Sequence, residues 1–316
     1  MSDPKRNCAI GVDIGGTSVR LGLVGGDGTV AYVQREPGGR GLTRDALVEL
    51  VREGVRNANA VEEHGDGSLR VGVAVPGILD EERRSVVRAV NVPALEGWDV
   101  RGALATGAGV AARLFTDAEA ATWAEFAARR AAHTCFAHLR LGSGAAFGVV
   151  RGQEPLRLDR GRTQHLDFLV ADATESARPC ACGRRGCLET IASGPSLIRA
   201  AADAGFASLS DVQAGFDNGQ AAAATLVLHA AEAICTALEN IADRFAPAVV
   251  SLGGGVIEAV PALARETTTT WNARVRGRVS CLRMEIVPSA LGDRAGVIGA
   301  ALLARRDDRD RGHGLR

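Results

Sequence analysis

The chain is 316 residues long, 46% hydrophobic and 23% charged, with 37 Lys and Arg against 37 Asp and Glu. That much apolar material supports one large domain or two moderate ones and excludes global disorder. Balanced charge leaves no basic footprint for nucleic acid and no field for a membrane surface, so small soluble partners are expected.

The polar start gives way to only a short apolar run, so neither a signal peptide nor a membrane span is expected. From Asn7 to Arg35 the β-rich runs CAIGVDI, SVRLGLV and TVAYVQR are separated by glycine pairs, which predicts a meander of antiparallel hairpins. Leu42 to Glu63 carries apolar residues at helical spacing (Leu42, Ala46, Val48, Val51, Val55), and Leu69 to Val75 reads as a buried strand closed by Pro76 and Gly77. Strands are predicted over 131–141 and 145–150 around a Gly-rich turn, a helix over 217–245, and a strand over 247–252 that ends in Gly253, Gly254 and Gly255. A last helix is expected near 292–305, before the mixed-charge tail RRDDRDRGHGLR. Asp13 to Val24 (DIGGTSVRLGLV) echoes Arg140 to Val150 (RLGSGAAFGVV), as a duplicated design would.

In Asp13-Ile14-Gly15-Gly16-Thr17 a carboxylate ends a strand and two glycines form the turn after it. Glycines let backbone N–H groups approach phosphate oxygens, Thr17 adds a hydroxyl, and Asp13 can hold Mg²⁺ through water. An ordinary turn would also explain this motif alone, and the β-residues that follow exclude a Rossmann fingerprint. The seven cysteines are an odd number, and three crowd into C-A-C-G-R-R-G-C (Cys180, Cys182, Cys187). That pattern predicts a tetrahedral thiolate Zn²⁺ site in a reducing, cytoplasmic compartment rather than a disulfide framework. Cys8, Cys135, Cys235 and Cys281 sit in apolar runs and read as core residues.

These motifs, with G-V-A-V-P-G-I-L-D (Gly72 to Asp80), N-V-P-A-L-E-G-W (Asn91 to Trp98), T-D-A-E-A-A-T-W-A-E (Thr116 to Glu125), L-G-S-G-A-A-F-G and S-L-G-G-G-V, resemble in order the ROK family of bacterial sugar kinases and repressors, from about Ile10 to about Gly299. The resemblance implies an α/β, two-lobed actin-like (ribonuclease H-like, duplicated) fold with a zinc knuckle. The small lobe would span 1–116 plus 292–316 and the large lobe 117–291. It also implies ATP-dependent phosphorylation of a hydroxyl, the primary 6-type one by default, on a hexose, aminosugar or sugar-like polyol, with ATP, Mg²⁺ and structural Zn²⁺ and a homodimeric assembly. By the same resemblance Asp117 is the catalytic base, and its place before a helical run also fits an N-cap, a role compatible with the catalytic one. Gly15, Gly16, Thr17, Gly142, Ser143 and Gly144 would form phosphate hairpins, with Gly253, Gly254 and Gly255 beside the adenosine. Gly77, Asn91, His165 and Glu189 would face the sugar, and His165 would also complete the zinc ligands.

Ala146 stands at a usual glycine of the family's phosphate hairpin, a mild departure, and three further departures lie on the substrate side: Thr116 and Glu119 stand where Asn is usual, and Arg162 where a Glu is. If they read the acceptor, glucose should be poor and an acceptor with a carbonyl toward Arg162 better, such as a C7-cyclitol of secondary metabolism. A catalytically inactive sugar sensor is the alternative of another class. A repressor is disfavoured, because the first strand begins too soon for a preceding helix-turn-helix domain.

Overall fold

The computed structural model describes residues 8–61, 69–129, 135–157, 169–172, 174, 176–276 and 284–306. The chain opens with β1 (Ala9–Ile14), β2 (Ser18–Val24) and β3 (Val30–Pro37), then α1 (Arg44–Val61) and β4 (Arg70–Val75). A small antiparallel sheet follows, of β5 (Ile78–Leu79), β6 (Ser85–Arg88) and β7 (Trp98–Asp99), then α2 (Val100–Gly107), β8 (Ala112–Thr116) and α3 (Asp117–Ala128). Next come β9 (Cys135–Leu141), β10 (Ala145–Arg151), β11 (Glu154–Pro155), α4 (Glu189–Ala192), α5 (Gly194–Asp203) and α6 (Leu209–Asp217). The chain ends with α7 (Ala221–Phe245), β12 (Val249–Gly253), α8 (Gly255–Ala259), α9 (Pro261–Val275), β13 (Glu285–Pro288) and α10 (Ala295–Arg305).

Contacts divide it into two compact units, Met1–Ala131 with Glu154–Thr163 and Arg294–Arg316, and Ala132–Gln153 with Gln164–Asp293. The first boundary therefore falls after α3 and not at residue 116, because α3 packs along α10 within the first unit. There β11 is held by the ion pair of Glu154 with Arg306.

In the first unit the sheet order is β3-β2-β1-β4-β8, with β1 antiparallel to β2 and parallel to β4, and β4 parallel to β8. In the second, β10-β9-β12-β13 repeats the inner plan: β9 is antiparallel to β10 and parallel to β12, and β12 is parallel to β13. The echo between the two glycine hairpins is thus an echo of topology.

Alternation along β1 decides what covers each face. Ile10, Val12 and Ile14 join the core with Leu47, Leu50 and Val51 of α1. The odd positions face α10: a Cβ on Gly11 would fall 1.9 Å from the carbonyl oxygen of Val297, and one on Gly72 of β4 2.0 Å from that of Ala300. Ala74, Ala120 and Ala300 pack together on this side, and a Cβ on Gly299 would lie 1.7 Å from the Ala120 carbonyl oxygen. Small residues are required because α10 lies backbone-to-backbone against the sheet and α3.

The helix predicted over 217–245 is α7, which starts four residues later at Ala221 because Gly219 turns left-handed (φ 71°) between the end of α6 at Asp217 and α7. By length and composition alone α7 could cross a membrane. Its stripe of Val227, Ala231, Ile234, Leu238 and Ile241 is buried, and it packs on α9, as a core helix does.

Candidate active site

Parallel pairing of β1, β4 and β8 aligns Asp13 with Ala74 and Val75 with Thr116, so the carboxyl ends of these strands bring Asp13, Gly77 and Asp117 to one edge of the sheet. Open α/β sheets bind ligands at such edges. Asp13 is buried, with the Arg20 guanidinium at 3.5 Å and Gly296 of α10 so close that a Cβ there would meet the carboxyl carbon at 2.4 Å. This carboxylate is held by its cation and by the first turn of α10, which suits a group that faces a hydrated cation without moving.

The turn after it closes through the Gly15 N–H donating to the Ser18 carbonyl at 2.9 Å. A second glycine segment lies on it: the N–H groups of Gly38 and Gly39 donate to the carbonyls of Thr17 (3.2 Å) and Gly15 (3.1 Å). Gly39 has φ 66°, and a Cβ there would fall 2.0 Å from the Gly16 carbonyl oxygen and 3.6 Å from that of Asn91. Asn91 is exposed beside this contact. Sequence reasoning passed over Gly38 and Gly39, although Gly-Gly-Arg-Gly after Pro37 was a visible signal.

Asp117 is the first residue of α3 and is half-buried; its Oδ1 accepts the Ala118 N–H at 2.9 Å. The N-cap is Thr116, whose hydroxyl accepts the Glu119 N–H at 3.2 Å, while Glu119 Oε2 accepts the Thr116 N–H at 3.1 Å. That reciprocal capping box corrects the reading of Asp117 as the cap. It also spends the side chains of Thr116, which is wholly buried, and Glu119, both expected to face an acceptor. Glu119 is further engaged by Arg83, with two 2.7 Å hydrogen bonds from Nη1 and Nη2. No sequence motif announced Arg83.

In the second unit the Gly142 N–H donates to the Gly144 carbonyl at 2.8 Å, and Ser143 stands exposed at the tip. The Gly194 N–H donates to the Gly142 carbonyl at 2.7 Å, so the start of α5 braces the turn. Gly254 reaches the same place, since a Cβ there would fall 2.3 Å from the Leu141 carbonyl oxygen. Gly142–Gly144 and Gly253–Gly255 therefore adjoin at the ends of β9 and β12. Glu189 underlies them: its Oε2 accepts the Ala145 N–H at 3.0 Å, and the Cys180 sulfur lies 3.9 Å from its Oε1.

The sulfurs of Cys180, Cys182 and Cys187 lie within 4.8 Å of one another, with 3.5 Å between Cys182 and Cys187 and no disulfide. A tetrahedral zinc with bonds of about 2.3 Å places its sulfurs roughly 3.8 Å apart, so the three thiols fit such an ion. The Cys180 N–H donates to the Arg184 carbonyl at 2.7 Å, and Gly186 (φ 69°) is pressed so closely on Asp172 that a Cβ would sit 1.6 Å from its carbonyl oxygen. His165, the expected fourth ligand, and Arg162 lie outside the described residues, as does Cys281.

A model of the ROK family matches residues 9–307. The chain belongs to the ROK family. It is 30% identical to a glucokinase of Thermotoga maritima, over 94% of this chain and 96% of that one. It is 28% identical to a kanosamine kinase of Amycolatopsis mediterranei, over 93% and 95%. Among solved structures, a ROK hexokinase from Thermus thermophilus superposes with a TM-score of 0.77 at 28% identity, covering 93% of this chain and 97% of that one. Within this ROK chain, the buried Thr116 and Glu119 leave Arg162 as the one departure whose surroundings are not described.

Proposed function

We propose that this ROK protein is an ATP-dependent sugar kinase that transfers the γ-phosphoryl group to a hydroxyl of a hexose or aminosugar. The observation that carries the reading is Asp117, a half-buried carboxylate at the carboxyl end of a parallel strand, on a helix turn closed by a capping box. The similarity to a glucokinase and a kanosamine kinase over nearly the whole chain supports both the reaction and the acceptor class.

In this reading the acceptor oxygen attacks the γ-phosphorus, its proton passes to Asp117, and the bond from the γ-phosphorus to the bridging oxygen breaks as ADP leaves. Gly15 and Gly142 close the two glycine turns through their own N–H groups, which leaves the N–H groups of Gly16 and Gly144 and the hydroxyls of Thr17 and Ser143 as the donors to phosphate oxygens in this reading, with Gly253–Gly255 by the adenosine. Asp13 would orient hydrated Mg²⁺, which would supply charge neutralisation on the phosphates. Gly77, Asn91 and Glu189 bound the sugar. Cys180, Cys182 and Cys187 would hold structural Zn²⁺, and His165 would be its fourth ligand. With Thr116 and Glu119 occupied in the fold, selection against glucose rests on Arg162 alone.

ADP release from ATP, measured against glucose, mannose, aminosugars and keto-cyclitols, tests the proposal. Sugar-dependent ADP release is expected with at least one hexose or aminosugar. Equal ADP release with and without every sugar would leave a non-kinase sugar binder in its place.

A further inference from the structure

Arg83 is a non-glycine residue with φ 51°, a left-handed conformation that a long side chain rarely adopts. The loop that holds it there is built by Asp80. Its carbonyl accepts the Arg83 N–H at 3.1 Å, and its carboxylate accepts the N–H groups of Arg84 (2.7 Å) and Ser85 (3.0 Å). From this strained position the guanidinium meets Glu119 fork to fork, with both side chains nearly buried at 11% and 8% exposure, and Nη1 also reaches the Leu114 carbonyl at 3.4 Å. Glu119 returns its Oε2 to the N–H of Thr116. One ion pair thereby ties the 80–85 loop to the end of β8 and the first turn of α3, the two segments that meet at Asp117.

We infer that Arg83 and Glu119 are a positioning pair for Asp117, fixing the turn from which its carboxylate projects; this rests on Asp117 being the base. The physical reason is geometric. A planar fork sets orientation as well as distance, which a lysine in place of Arg83 would not. The nearly buried Glu119 carboxylate is accommodated because this chain supplies the matching guanidinium from a loop 36 residues earlier. Strained backbone concentrates where the surroundings hold it for a purpose, and the conformation of Arg83 is of that kind.

The test uses Glu119→Gln, Arg83→Met, Arg83→Lys and the double variant Arg83→Met/Glu119→Gln, with ATP and the most efficient acceptor of the sugar panel. Both neutral single variants should lower kcat about ten-fold or more while KM for ATP and acceptor stays within about two-fold, since misplacement of a reacting group acts on the chemical step. Arg83→Lys should recover only part of kcat, and the double variant should lose less than the product of the two singles. Hydrogen exchange of the peptide covering 112–120 should speed up in the single variants even if no sugar is turned over, which separates this inference from the kinase reading. An unchanged kcat with a lowered melting temperature would make the pair merely structural and overturn the inference. A raised acceptor KM with unchanged kcat would mean that Glu119 touches the acceptor, and would overturn it equally.

Discussion

Glu189 accepts the backbone N–H of Ala145 through Oε2 at 3.0 Å, so the carboxylate that follows the cysteine loop also pins the turn of the second glycine hairpin. Glu189→Ala leaves that buried N–H without its acceptor, a loss of about 1–3 kcal/mol. Glu189→Gln keeps an oxygen in place and should retain most of the stability while raising KM for the sugar. Thermal melts and acceptor kinetics on both variants check this; equal melting of the Ala and Gln variants would remove the structural half of the role.

Asp117→Asn should preserve the fold, because the cap is made by Thr116 and Glu119 and not by Asp117. Turnover should fall by roughly 10²-fold or more, the scale of a general base. Near wild-type kcat on the best acceptor, with an unaltered melting temperature, would show that Asp117 is not the base.

Metal analysis of freshly purified protein should give about one zinc per chain, because binding at a closed thiolate site contributes folding free energy. Chelation should lower the melting temperature, and Cys180→Ser or Cys187→Ser should lower it similarly. Zinc-free protein with an unchanged melt would show that the three thiols only pack together.

Gly299→Ala sets two effects against each other. Alanine gains about 1 kcal/mol of helix propensity over glycine. Its Cβ, however, would lie 1.7 Å from the Ala120 carbonyl oxygen, a backbone clash that requires α3 and α10 to separate. Overpacking of this kind costs about 3 kcal/mol, so net destabilisation is expected in chemical denaturation. An equal or higher midpoint would mean that α10 does not sit backbone-to-backbone on α3.

Burial in the α7 stripe pushes the Cys235 thiol up to about 12 from its usual 9.0. The folded state then holds this proton where the unfolded chain releases it, so the thiol's contribution to stability is complete below pH 9 and is lost as pH rises toward about 12. Cys235→Ala should therefore show a shallower fall in stability above pH 9 than the unsubstituted chain. Identical pH slopes for the two would sink the argument.

What the sequence by itself determined is local. The glycine turns at Gly15–Gly16 and Gly142–Gly144, the close spacing of Cys180, Cys182 and Cys187 and the strand-to-helix junction at Asp117 were legible because backbone geometry and metal chemistry demand particular residues at short separations. The repeated hairpin likewise foretold the repeated sheet order. Tertiary structure alone decided which polar side chains were left for an acceptor. The cap between Thr116 and Glu119 is a local Thr-x-x-Glu pattern, but only the fold brought Arg83 to Glu119 from 36 positions away, a partnership that no periodicity encodes. The same holds for Gly11, Gly72 and Gly299. Each is unremarkable in its own segment, and its lack of a side chain acquires a reason only when α10, from the far end of the chain, settles on β1, β4 and α3.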